Sequence, residues 1–62
     1  MNVTSQTSVT MVCRRDGKVA WTKRYDTAEL AVTAAEELVP SLPVYTTLEV
    51  WDTGELVWKE EI

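Results

Sequence analysis

Two stretches of alternating apolar and polar residues, each broken by one glycine, flank a stretch with helical spacing. The alternation runs over residues 9–25 around Gly17 and over residues 44–62 around Gly54. A period of two that is interrupted by a Gly-containing loop is typical of a β-hairpin. The pattern therefore predicts two hairpins with a helix between them.

The length of each loop decides which side chains share a face of the sheet. A two-residue loop in the first hairpin pairs Arg15 with Lys18 and mixes polar and apolar residues on both faces. A three-residue loop, with a left-handed Gly17 in a bulge, pairs Arg14 with Lys18 and separates the faces. We therefore expect three-residue loops in both hairpins, so that Trp51 pairs with Glu55. The expected core-facing residues are Val9, Met11, Cys13, Val19, Trp21 and Tyr25 in the first hairpin and Val44, Thr46, Leu48, Val50, Leu56, Trp58 and Ile62 in the second.

The helix is expected over residues 27–39. Asp26 with Glu29 three residues later is an Asp variant of the capping box, and Pro40 ends the helical pattern. The apolar stripe at helical spacing consists of Leu30, Ala31, Ala34, Ala35 and Leu38.

Together these elements predict an α+β fold of the form β-β-α-β-β. One helix packs on one face of a four-stranded antiparallel sheet, and a right-handed crossover that leaves room for strand 1 favours the strand order 2-1-3-4. We expect residues 1–7 to be a flexible N-terminus and residues 8–62 to be a single small domain.

Composition argues against several classes of function. The chain has no His and one Cys, so it lacks the usual general base, and no internal disulfide can form. We expect no catalytic, cofactor or metal site, and therefore no enzyme. The first residues do not resemble a signal peptide, and no segment has the ~20 apolar residues of a membrane span. A cytoplasmic protein that does not enter a membrane is the expectation.

Charge is distributed unevenly along the chain. The net charge is −4, yet five of the six cations lie in residues 14–24, and only Asp16 opposes them there. From Asp26 onward there are nine carboxylates and a single cation, Lys59. Opposite signs on the two halves bear on the choice of partner and on self-association rather than on the fold.

The sheet face away from the helix is the expected binding surface. Aromatic residues among acidic ones on an open sheet face have the composition of a protein interface. We expect this face to bind a protein partner, a second copy of the chain, or both. The candidate partner-binding residues are Val12, Tyr45, Glu49, Trp51, Glu55 and Val57.

Two alternatives use charge instead. Carboxylates such as Glu29, Glu36, Glu37 and Glu61 form a candidate acidic surface that mimics DNA before a nucleic-acid-processing enzyme. Alternatively, Arg14, Lys18 and Arg24 of the first hairpin bind nucleic acid directly as a basic ribbon.

The first hairpin resembles that of a known class of inhibitor. Val9-Thr10-Met11 followed by Asp16-Gly17-Lys18 looks like the opening hairpin of the short phage inhibitors of uracil-DNA glycosylase. The helix followed by a Gly-turn hairpin is similar to some small anti-CRISPR proteins. These resemblances imply a stoichiometric inhibitor encoded by a phage or mobile element and acting in the host cytoplasm. They transfer no functional residue to this chain.

Overall fold

The computed structural model describes residues 8–62, which form four strands, one α-helix and a short 3-10 helix. The expectation for residues 1–7 lies outside the described residues. The elements are β1 (Val9–Arg15), β2 (Lys18–Tyr25), α1 (Ala28–Leu38), a short 3-10 helix (Val39–Ser41), β3 (Thr46–Asp52) and β4 (Glu55–Glu61). The strands form one sheet in the order β2-β1-β3-β4, and each neighbouring pair is antiparallel. The α+β fold and the strand order are confirmed.

The hairpin loops have two residues, so the expected register was wrong. Arg15 pairs with Lys18, and Asp52 pairs with Glu55. Both loop residues of each turn have positive φ: 54° and 80° at Asp16 and Gly17, and 51° and 80° at Thr53 and Gly54. Two consecutive left-handed residues define a type I′ turn, whose twist matches that of the strands.

A β-bulge lies three residues beyond each glycine. Cys13 pairs with Trp21 and Arg14 pairs with Val19, which leaves Ala20 as the extra residue. In the second hairpin Val57 is the extra residue, between Leu56 opposite Trp51 and Trp58 opposite Val50. A bulge adds one residue to one strand. The residues of that strand between the bulge and the turn therefore point to the opposite face from the one that simple alternation predicts. Val19 and Leu56 are 53% and 42% exposed on the face opposite the helix, not in the core as expected.

The N-cap of the helix lies one residue later than expected. Thr27, not Asp26, is the N-cap, because its Oγ1 accepts a hydrogen bond from the Leu30 N–H at 3.1 Å. Leu30 was expected in the apolar stripe but is 55% exposed, whereas Ala31 and Ala35 are fully buried. Small side chains at these two positions let the helix approach the sheet closely.

The core lies between α1 and the two central strands. Met11 on β1 and Leu48 and Val50 on β3 are fully buried and pack with the helix alanines. On the edge strands β2 and β4 only Tyr25 and Trp58 are half-buried, and all other residues are exposed. The helix therefore leaves both edges of the sheet largely open to solvent.

The two hairpins are related by a local two-fold axis. Each residue of the first corresponds to the residue 37 positions later in the second, with the same turn and the same bulge. Val12 and Glu49 are equivalent in this sense and also pair with each other across β1 and β3. The axis therefore runs perpendicular to the sheet through this pair.

Candidate protein-binding face

The sheet has one face away from the helix, which we call the open face. Within residues 8–62, the helix covers the other face of the sheet. Leu42, which follows the 3-10 helix, packs on that same helix side. Residues that pair directly across strands share a face. Pairing to Thr10, Val12, Arg14, Thr47, Glu49 and Trp51 therefore assigns Val19, Thr22, Arg24, Leu56, Lys59 and Glu61 to the open face as well.

A carboxylate is buried at the centre of this face. Glu49 is only 7% exposed. The Arg14 Nε lies 3.2 Å from both carboxylate oxygens, and the Trp51 Nε1 donates a hydrogen bond to Oε1 at 2.8 Å. A buried carboxylate is stable only when it is paired and hydrogen-bonded, and these two donors meet that need. The same contacts neutralise Glu49 and hold the indole ring of Trp51 in one orientation.

An apolar patch lies beside this cluster. Leu56 pairs with Trp51 across β3 and β4, and Val57 follows it in the bulge. Leu56 is 42% exposed and Val57 is 46% exposed, while Trp51 is half-buried. We call Trp51, Leu56 and Val57 the Trp51 patch. Charged groups border it on β4, where Lys59 forms an exposed ion pair with Glu61 at 3.3 Å.

Not every predicted binding residue joins this face. Val12, Glu49 and Trp51 lie on it, and Val57 lies at its edge in the bulge. Glu55 pairs with Asp52, which pairs with the buried Val9, so Glu55 is on the helix side of the sheet. The expected open-face position of Glu55 was wrong because the loop is one residue shorter than expected.

Tyr45 also departs from its expected position. It precedes β3, has a φ of +66° and is 75% exposed. Its N–H donates to the Ile62 carbonyl at 3.0 Å, and its carbonyl accepts from the Asp16 N–H at 3.2 Å. Its backbone therefore links the first turn to the end of the second hairpin. Val44, expected in the core, is 66% exposed next to it.

The acidic residues are divided between surfaces. Three of them, Glu29, Glu36 and Glu37, are exposed on the helix. Glu61 lies on the open face, which is on the other side of the sheet from the helix. The structure does not bring these four carboxylates together on one surface.

Sequence reasoning missed Arg14 and Leu56 as parts of the site. Arg14 and Glu49 are diagonal neighbours, since Arg14 pairs with Thr47 and Glu49 pairs with Val12. Opposite charges at diagonal positions of two central strands are a usable signal once strand 1 is placed beside strand 3. Leu56 was missed because its facing depends on the bulge.

The only thiol is not exposed for reaction. Cys13 is 2% exposed, and burial raises the pKa of its thiol above 9.0 in spite of a smaller opposing effect of Arg15. A protonated, enclosed thiol is a poor nucleophile. Within the described part of the chain, no three His, Cys, Asp or Glu side chains form a group that could hold a metal ion.

The only α-helix found in residues 8–62 is too short and too polar to cross a bilayer. No protein family, curated protein or solved structure gives a significant match to this chain.

Proposed function

We propose that this chain is a small non-enzymatic regulator that binds a protein partner stoichiometrically through the Trp51 patch. The observation that supports the proposal is a sheet face, left uncovered by residues 8–62, on which Leu56 and Val57 are exposed beside a tryptophan whose indole is hydrogen-bonded. Energetically dominant interface residues are often tryptophans, and the contacts around them exclude water.

The Glu49 cluster supports this choice of surface. A side chain already held in one orientation loses less conformational entropy on binding than a free one. The 2.8 Å hydrogen bond from the Trp51 indole to Glu49 provides that restraint. Because Arg14 neutralises Glu49, a partner that covers the face does not have to desolvate an isolated carboxylate. The matching partner surface is an apolar cavity that accepts an indole edge and two aliphatic side chains.

The test compares substitutions on the two sides of the sheet. Leu56→Ser with Val57→Ser removes exposed apolar surface and leaves the Trp51–Glu49 hydrogen bond in place. Leu30→Ser is the matched control, since Leu30 is a similarly exposed aliphatic residue on the helix. Affinity capture from the native host, with quantitative mass spectrometry, is run in parallel with the three proteins.

We expect a partner captured by the parent and by Leu30→Ser to be lost with Leu56→Ser/Val57→Ser. Isothermal titration with that partner, once purified, should give one chain per partner binding site. Equal capture by all three proteins would contradict the proposal.

An acidic inhibitor that mimics DNA is the second candidate. It is supported by the exposed carboxylates of the helix, Glu29, Glu36 and Glu37, and by the resemblance to phage inhibitors. In this case the partner is an enzyme that grips phosphates in the host cytoplasm. Glu36→Gln/Glu37→Gln should then weaken binding more than Leu56→Ser/Val57→Ser does, and duplex DNA should compete.

Direct nucleic-acid binding has less support. The guanidinium of Arg14 is engaged by Glu49, and Lys18 pairs with Arg15 on the helix side. The three cations on which a basic ribbon relies thus do not act together on one face. A gel shift at low salt tests this class, since phosphate contacts are strongest there.

A further inference from the structure

The two edges of the sheet carry opposite charge. The outer strand β2 exposes Lys18, Lys23 and Arg24 and contains no acid, so we call it the basic edge. The outer strand β4 exposes Glu55, Glu60 and Glu61, so we call it the acidic edge. Its one cation, Lys59, is already paired with Glu61. Within residues 8–62, no further strand pairs with the outer backbone N–H and C=O groups of either edge strand, so another strand can add there.

We propose that the basic edge of one copy of this chain pairs with the acidic edge of a second copy, which extends the sheet from molecule to molecule. The contact is distinct from the open face and does not depend on the proposed partner.

Strand direction fits this arrangement. In an order β2-β1-β3-β4 with every neighbouring pair antiparallel, β2 and β4 run in opposite directions. A second copy in the same orientation therefore presents its β2 antiparallel to the β4 of the first. The helices of both copies then lie on the same side of the continuous sheet.

The charges match on both faces in that orientation. Lys23 pairs with Met11 and Glu60 with Leu48, so both are on the helix side. Arg24 pairs with Thr10 and Glu61 with Thr47, and the open face carries both. In the antiparallel register that places Lys23 opposite Glu60, Arg24 lies opposite Lys59 and diagonal to Glu61. A β2–β4 junction therefore forms a direct ion pair on the helix side and a diagonal one on the open face.

Charge also excludes the competing pairings. An inward-pointing charge on an edge strand is a common device against pairing between copies, and Lys23 and Glu60 are residues of this kind. Lys23, whose Nζ lies 5.4 Å from the centre of the Tyr25 ring, repels a second β2, and Glu60 repels a second β4. Because the two signs differ, the β2–β4 contact alone is attractive. Such a head-to-tail contact produces a ring or an open array.

The experiment gives both edges the same sign. Lys23→Glu/Arg24→Glu makes the basic edge acidic, and Glu60→Lys/Glu61→Lys makes the acidic edge basic. Glu36→Lys/Glu37→Lys on the exposed helix face is the control that matches the second variant in net charge. Sedimentation velocity of the parent and the three variants from micromolar to millimolar concentration, at low and high salt, reports self-association.

We expect concentration-dependent association of the parent and of the helix control, weakened by salt. Each edge variant alone should raise the apparent dissociation constant by about tenfold or more, because like charges then face each other across the junction. An equimolar mixture of the two edge variants should associate again, and this also shows that both variants are folded. Amide protection in β2 and β4 should rise with the concentration of the parent.

Three results would overturn the inference. One is a parent that stays monomeric throughout the range. Another is an equimolar mixture of edge variants that stays monomeric. The third is association that Leu56→Ser/Val57→Ser abolishes and the edge variants leave intact, since this places the contact on the open face. Loss of partner capture by the open-face variant alone leaves the edge contact unaffected, so the two proposals fail separately.

Discussion

Thr53 occupies a backbone conformation that is unfavourable for its side chain. Its φ is 51°, in the left-handed region, as the first residue of the second type I′ turn. Left-handed backbone costs an ordinary residue roughly 1–2 kcal/mol, and a β-branched side chain tolerates it poorly. Asn tolerates this region, and Asn-Gly is a preferred pair in type I′ turns. Thr53→Asn should therefore stabilise the protein.

The gain can be bounded from the contacts of Thr53. Its Oγ1 donates an exposed hydrogen bond to Asp52 Oδ1 at 3.0 Å, whose loss costs about 0.5 kcal/mol. The bond from its backbone N–H to the Ser8 carbonyl at 3.1 Å does not depend on the side chain. The net increase in the free energy of unfolding is thus about 1 kcal/mol, and this raises the Tm by roughly 4–8 °C in a domain of this size.

Urea and thermal unfolding, followed by tryptophan fluorescence and circular dichroism, measure the change. Thr22→Asn, at an exposed strand position of β2, is the control and should be neutral or destabilising because Asn has low β propensity. If the loop had three residues instead, the backbone of Thr53 would be right-handed, and Thr53→Asn would bring no gain in stability. An unchanged or lower stability of Thr53→Asn would therefore refute the type I′ turn.

Three further changes test the core and the open face. Thr46 is fully buried, and its Oγ1 has no hydrogen-bond partner among residues 8–62. Thr46→Val should therefore raise the free energy of unfolding by about 1 kcal/mol, and urea melts should show a smaller effect for Thr47→Val. The pKa of the Cys13 thiol is raised in the folded state. Its contribution to stability is therefore complete below the unfolded-state pKa of 9.0 and is lost as the pH rises through the folded-state pKa. Urea melts at a series of pH values should show a shallower alkaline decline in stability for Cys13→Ala than for the parent. Glu49 is buried, whereas the Arg14 side chain is 36% exposed. A double-mutant cycle of Arg14→Met and Glu49→Gln should therefore give a coupling energy of about 1 kcal/mol, which lies between the values typical of exposed and of buried ion pairs. Additive losses of stability in the double mutant would contradict this.

The topology could be predicted because its signals are local and agree with each other. Gly17 and Gly54 each mark a turn between alternating runs, and the helical spacing between them ends at Pro40. With two hairpins and one crossover helix, few arrangements remain, and the strand order β2-β1-β3-β4 follows from chain connection rules.

The register could not be predicted because two backbone solutions use nearly the same residues. A three-residue loop places its bulge at the glycine, whereas the observed hairpins close in two residues and bulge three residues later, at Ala20 and Val57. Apolar alternation favoured the first solution, since it places Val19 and Leu56 in the core. The core does not extend that far, because an 11-residue helix is about 16 Å long and its buried alanines pack on the central strands.

The local two-fold axis explains why one end of the open face is the better binding site. Arg14 and Trp51 are equivalent under this axis, and both donate to Glu49, one member of the pair between which the axis runs. The backbone thus offers two equivalent corners beside the same carboxylate. The first hairpin fills its corner with an arginine, Val19 and the small Ala20, whereas the second presents a tryptophan, Leu56 and Val57. Since aromatic and large aliphatic side chains supply most of the apolar area in an interface core, the second corner has more to offer a protein partner, and the first contributes mainly the charge that neutralises Glu49.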